Sequence, residues 1–216
     1  MSEPHGGPSP AFDEEFREQL GALFAWRRDV RRFKSDPVPD ALIAELLALA
    51  ALSPSVGNAQ PWRWVSVASP GRREQVAAAF EAANARAAGT YDDDRRAAYL
   101  ALKLEGLRTA PVHLAVLCDE ATALGHGLGR QTMPEMLAYS TVLSVHTFWL
   151  AARAHGLGVG WVSILDPAAV TRLLDVPDGW RLVAYLCVGW PVEEHIDPEL
   201  QRFGWQDRAP LVLLRR

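Results

Sequence analysis

"EMLAYSTVLSVHTFWLAARAHGLGVGWVSI", residues 135–164, is the stretch on which the fold turns. Its first twenty residues are apolar nearly all round, which describes a central helix buried on most sides rather than one lying on a surface. Gly156 stops that helix, and "GVGWVSI" (158–164) then has the length of a short strand. Glycines at the start of a strand mark close packing of backbone, so this strand should sit deep in the molecule.

The flanking segments alternate between helix and strand signals. Residues 12–26 have amphipathic helical spacing, and 39–53 place Leu42, Ile43, Leu46, Leu47 and Leu49 on one face behind Pro39, a residue suited to a first helical turn. "WRWVSVA" (62–68) alternates like a strand, and Ser69 caps a helix predicted to run to about Arg86. Residues 111–119 and 180–190 read as buried strands, and Asp166-Pro167 as the cap and first turn of a helix to Leu174. "APLVLL" (209–214) reads as a last short strand. Segment 89–106 is polar at first and helical later, an excursion from the core. The expected architecture is α+β, a central mixed sheet packed by helices, in one domain over 12–216 behind a disordered tail, 1–11.

With 216 residues and a net charge of −4, the chain has no general electrostatic attraction for nucleic acid or an anionic membrane. No apolar run approaches the roughly 20 residues that cross a bilayer, and "MSEPHGGPSP" lacks the order of a secretory signal. Cys118 and Cys187 each lie inside an apolar run, as free buried thiols in a reducing compartment do. The expected location is therefore cytoplasmic. The histidines show no metal-ligand spacing, and the two common nucleotide-binding loops, GxGxxG and GxxxxGK[ST], are absent.

Against that acidic background, "RRDVRRF" (27–33) gathers four arginines within six residues. They could complement a helix dipole, or bind phosphate, whose oxygens guanidinium groups match in bidentate fashion. In an extended segment Arg27, Asp29 and Arg31 point to one side, with a carboxylate between two cations. "SPSVGNAQPWRW" (53–64) is a rigid, turn-rich loop that either merely connects or grips the edge of a flat heterocycle through Ser55, Gln60 and backbone near Gly57. Ser163 is either a buried hydroxyl or a hydrogen-bonding group at a site, and Arg208 alone is a surface arginine.

Taken in order, "RRDVR", "PSVGNAQPW", "GVGWVSI" and "DRAPL" resemble the nitroreductase superfamily of FMN proteins, from about residue 20 onward. The aspartate in "RRDVR", together with "YLALKLEGLRTAP" and "LGRQTMPEMLAYSTV", is similar to the flavin-destroying branch of that family. The resemblance implies a nitroreductase-like FMN fold and a homodimer with FMN between subunits and helix 135–154 at the dimer core. It implies that Arg27, Arg28 and Arg31, flanking Asp29 and Val30, hold the FMN phosphate and ribityl or ring oxygens, joined by Arg208. Ser55 and Gln60 would lie near the flavin, and 89–106 would form a lid touching it through Tyr99 and Leu104.

The implied reaction consumes reduced FMN and O2, yielding 5,6-dimethylbenzimidazole, the lower ligand of vitamin B12, and erythrose 4-phosphate. A flavin reductase would supply the reduced FMN. Asp29 is then the expected general base or acid, held ionised by the flanking arginines, and Ser163 its partner at the flavin N5 edge. Two other readings use the same arginines: an NAD(P)H-dependent FMN nitro- or quinone reductase, and a non-catalytic flavin-binding protein.

Overall fold

A computed structural model describes residues 9–101 and 105–216. Helix α1 (Glu14–Trp26) is capped by Asp13, whose side chain accepts from the Phe16 N–H. Helix α2 (Asp40–Ala50) follows, with Pro39 at its N-cap. Strand β1 (Trp62–Ser66) leads to helix α3 (Pro70–Ala88), where Ser69 is the cap. The excursion forms helix α4 (Asp93–Ala101) and the single turn α5 (Gly106–Thr109). Strand β2 (Val112–Asp119), helix α6 (Met136–Ala154) and strand β3 (Gly158–Val162) come next. Helix α7 (Pro167–Leu174), capped by Asp166, strand β4 (Trp180–Gly189) and the short helix α8 (Glu199–Arg202) complete the order.

The strands lie in the order β1-β2-β4-β3, and all three ladders are antiparallel. The mixed character expected of the sheet is confined to an isolated parallel bridge between Asp29 and Val159. Helices cover both faces, so the inner strands are apolar on both sides. On one face Leu114, Val116, Ala184, Leu186 and Val188 meet α2 and α6 through Leu46, Ala50, Val145, Phe148 and Ala152. On the other, Ala115, Leu117, Tyr185 and Cys187 meet α3 and α7 through Val76, Phe80, Val170 and Leu174. Both cysteines are free and buried.

Two expectations are corrected. Residues 209–214 form no strand: Leu211, Val212, Leu213 and Leu214 stand 97, 73, 74 and 71% exposed. A strand needs a partner edge to satisfy its backbone groups, and that segment has none among the described residues. Helix α6 buries one side, including Leu137, Ser144 and Phe148, but Tyr139, Val142 and Leu143 on its other side are exposed.

The glycines of β3 perform the close packing foreseen for them. A methyl group on Gly158 would lie 2.8 Å from Val30 Cγ2, and one on Gly160 would overlap the Val30 carbonyl oxygen. Segment 29–34 therefore lies directly on the sheet edge. Val30 N–H donates to Val159 O (3.0 Å), and Lys34 N–H to Trp190 O (2.8 Å). Phe33, 4% exposed, plugs into the core.

Two outcomes are expected. Gly160→Ala should lower the free energy of urea unfolding by about 1–3 kcal/mol or more, as overpacking against rigid backbone does. Gly71→Ala, in an open helical position whose nearest neighbour is 3.9 Å away, should be neutral or slightly stabilising. The second concerns buried His113, whose pKa burial lowers to about 4 from the ordinary 6.5, with the Arg73 charge adding to the effect. Below 6.5 the unfolded chain takes up this proton and the folded chain does not, so stability falls as pH drops from 6.5 toward 4. The gap of 2.5 units corresponds to roughly 3 kcal/mol. Urea melts across that window should show a shallower pH dependence in His113→Asn.

Candidate functional site

The end of α1, segment 27–32 and the edge of β3 build one arginine-rich cavity. It holds about 560 Å3 including its open mouth, and its walls include Arg28, Asp29, Arg31, Trp149, Gly158 and Glu199. Arg27 places its guanidinium over the Trp149 ring, 5.0 Å from the centroid. Trp149 Nε1 also donates to the Arg28 carbonyl at 3.3 Å, so one indole of α6 fixes the first turn of the cradle. Nothing in the local sequence pattern of helix 135–154 separates a core indole from one with this second duty.

Arg28 satisfies both readings of the cluster. Its Nη2 donates to the Phe24 and Ala25 carbonyls that end α1, while its Nε is buried without a partner. Burial is the main influence lowering the Arg28 pKa, helped by the like charges of Arg27 and Arg208. Arg208, itself exposed, thus adds to the positive field at this spot. Arg31 is 10% exposed at its side chain; its Nε reaches Asp29 Oδ2 at 3.4 Å, and its Nη1 lies buried without a hydrogen-bond partner. Two buried, unpartnered guanidinium donors fit an anionic oxygen cluster such as a phosphate, since leaving such groups unpaired is costly.

Asp29 sits at the centre of this arrangement. Its Oδ1 accepts the Trp161 N–H at 2.9 Å, and its side chain keeps 39% of its accessible surface. Its pKa is raised, which corrects the expectation that the arginines hold it ionised. Loss of hydration to the surrounding protein is the largest effect and pushes it up. The Trp161 N–H and Arg31 pull it down, and the Glu199 charge pushes it up again. The proximity of arginines was legible in the sequence; the hydration lost by packing against β3 was not.

The other expected residues are distributed differently. Ser163 is exposed and lies one position past the end of β3 rather than within it. It follows Trp161 by two residues, about 7 Å along an extended chain. Ser55 Oγ accepts from Gln60 N–H at 3.0 Å, and Gln60 takes a positive φ of 45° that holds the loop turned back on itself. This loop precedes β1, whereas Asp29 borders β3, so the two stand on opposite sheet edges, three strand spacings or roughly 14 Å apart. Helix α6 shows the same separation, since Ser140 Oγ accepts the Val56 N–H while Trp149, nine positions on, supports Arg28. Tyr99 is buried; its hydroxyl donates to Asn84 Oδ1 at 2.6 Å and its ring lies 6.3 Å from Trp205 and 5.0 Å from Tyr91. Leu104 lies outside the described residues.

Two residues were missed. Glu199, 11% exposed at its side chain, stands 3.7 Å from Arg31 Nη1 and 3.3 Å from Arg32 Nη2. Arg32, the arginine left out of the alternation of Arg27, Asp29 and Arg31, also pairs with Glu193. "DPEL" (197–200) carries no local signal for such a role. Among the described residues no cluster could hold a metal ion, and no helix is long and apolar enough to cross a membrane.

Comparison with known proteins places this geometry. The chain is 58% identical over 96% of its length to a 5,6-dimethylbenzimidazole synthase of Rhodospirillum rubrum, covering 98% of that protein. It is 48% identical over 95% of its length to a second protein of that name, from Rhodobacter capsulatus, covering 99% of it. The crystal structure of oxidized iodotyrosine deiodinase bound to FMN and 3-iodo-L-tyrosine shares the fold, with a TM-score of 0.74 at 24% identity, over 91% of this chain and 98% of that one. The family model described as "Nitroreductase family" matches residues 24–190, and the chain belongs to that family.

Proposed function

We propose that this chain carries out the oxygen-dependent fragmentation of reduced FMN to 5,6-dimethylbenzimidazole and erythrose 4-phosphate. The observation that carries this reading is the 58% identity, extending over nearly the whole of both chains, to a 5,6-dimethylbenzimidazole synthase. Neither a nitro- or quinone reductase nor a non-catalytic flavin-binding protein has comparable support. Reduced FMN is the substrate here, and it supplies the electrons for O2 and the ring atoms of the product.

The residues of the cradle divide the work. Arg28, whose buried Nε lacks a partner, and Arg31 bind phosphate and ribityl oxygens, with Arg27 and Arg208 adding charge. Loss of hydration raises the proton affinity of the Asp29 carboxyl above the ordinary carboxylate range, which suits a group that both takes up and gives back a proton. Asp29 exchanges a proton at the ribityl C1′, and Ser163 hydrogen-bonds the N5 edge. The 89–106 excursion, tied down through Tyr99 and Trp205, excludes water from the ring. A separate flavin reductase delivers the reduced substrate, and the free buried thiols suit the cytoplasm.

The working unit is a homodimer. Ser55 and Gln60 stand on the sheet edge opposite Asp29, a separation that suits a flavin shared between two copies of the chain. The exposed Tyr139, Val142 and Leu143 of α6, and Leu211–Leu214, supply apolar surface for that contact.

Two experiments test this. Incubation with FMN, an excess of reductant and air should convert FMN to dimethylbenzimidazole, detected by mass spectrometry; FMN recovered intact after many hours would refute the reading. Asp29→Asn and Ser163→Ala should retain FMN binding while product formation drops by about 10²-fold or more, the contribution of a positioned proton-transfer group. The dimer is tested by subunit mixing: Asp29→Asn and a Ser55→Ala/Gln60→Ala double variant, each inactive alone, should together regain roughly a quarter of wild-type activity, since half the dimers gain one intact site. Mixtures no more active than their parts would argue against a shared site.

A further inference from the structure

Among the described residues, Glu199 is the one carboxylate within 4 Å of two arginines of the 27–32 segment. It begins α8, a four-residue helix behind Pro198, and its side chain is 11% exposed. Its Oε2 lies 3.3 Å from Arg32 Nη2, and its Oε1 faces Arg31 Nη1 at 3.7 Å, beyond hydrogen-bond length. Arg31 in turn reaches Asp29 through Nε at a long 3.4 Å. One guanidinium is thus drawn toward two carboxyl groups and closes a tight pair with neither. Arg32 is itself anchored by Glu193, which its side chain keeps ionised with a pKa lowered to about 2. The far end of the network is therefore fixed.

We propose that Glu199 is a positioning residue of the reaction: it restrains Arg31 from closing a full ion pair with Asp29, leaving Asp29 free to exchange a proton and Arg31 free to donate to the substrate. With Glu199 neutralised, Arg31 turns to Asp29 and closes a bidentate pair, which locks Asp29 as a carboxylate. The charged and titratable groups facing Asp29 are Arg31 on its own segment, Glu199 from α8 and the Cys187 thiol from β4. The thiol is held neutral by burial, with a pKa of about 12, so Glu199 and Arg31 set the local field between them. The inference rests on Asp29 acting as the proton-transfer group.

The test compares Glu199→Gln and Glu199→Asp in the full-length chain. The Asp29 carboxyl is followed by 13C NMR, its signal assigned by disappearance in Asp29→Asn, and product formation from reduced FMN is measured across pH. In Glu199→Gln the titration should move to lower pH by about one unit, as gaining an opposite charge and losing a like one requires. The corresponding limb of the pH–rate profile should move with it, and kcat should fall more than KM rises. Glu199→Asp, which keeps the charge but retracts it, should fall between Glu199→Gln and wild type, and carries the test if Glu199→Gln is too unstable to assay. A titration unmoved in the folded variants overturns the proposal. Product formation unchanged in Asp29→Asn would instead overturn the role of Asp29, with the NMR titration still deciding what Glu199 does to it.

Discussion

The contact of residues 29 and 30 with the edge of β3 is the constraint from which the site follows. Two backbones approach there with no side chain between them, because Gly158 and Gly160 supply none. That approach lets the Val30 N–H reach Val159 O and the Asp29 carboxyl reach the Trp161 N–H. It also sends Phe33 into the core and leaves the arginines on the outer side. A hydrogen bond of this kind contributes about 0.5–1.5 kcal/mol, so the Asp29 carboxyl is also part of what fastens the segment to the sheet.

The cradle is under-compensated in a way that suits a binding site. Arg28, Arg31 and Glu199 each leave a buried polar atom without a hydrogen-bond partner, an expensive condition in a finished core. Arg27 spends its charge on an indole rather than a carboxylate. The counter-charge nearest the centre, Asp29, is shifted toward its neutral form by burial. An incoming anion could accept from the Arg28 Nε, but not satisfy the Glu199 oxygen, which faces Arg31 Nη1 at 3.7 Å.

Much of the fold was legible because its signals are local. Ser69 and Asp166 announced their helices through side-chain caps, and both are observed; the apolar runs of β2 and β4 marked buried strands. The candidate site was legible in its arginines and its aspartate. What escaped notice depended on groups distant in sequence or outside a single chain. The sequence 209–214 has strand composition, but a strand is a relation between two segments, and no described segment pairs with it. Asp29 stands among cations, yet its proton affinity follows the packing of β3 and α8 around it. Glu199 is separated from Arg32 by 167 positions, a distance no short motif spans.

The two oxygens of Asp29 are not equivalent. Oδ1 is committed to a backbone amide that cannot turn away, whereas Oδ2 has only a long contact with Arg31. A proton arriving at this carboxyl therefore settles on Oδ2. Because the amide belongs to the sheet, the lone pairs of Oδ2 keep a fixed bearing on the cavity. In the proposed reaction the carboxyl would therefore act as a relay with one working face, its bearing set by the pleat of β3.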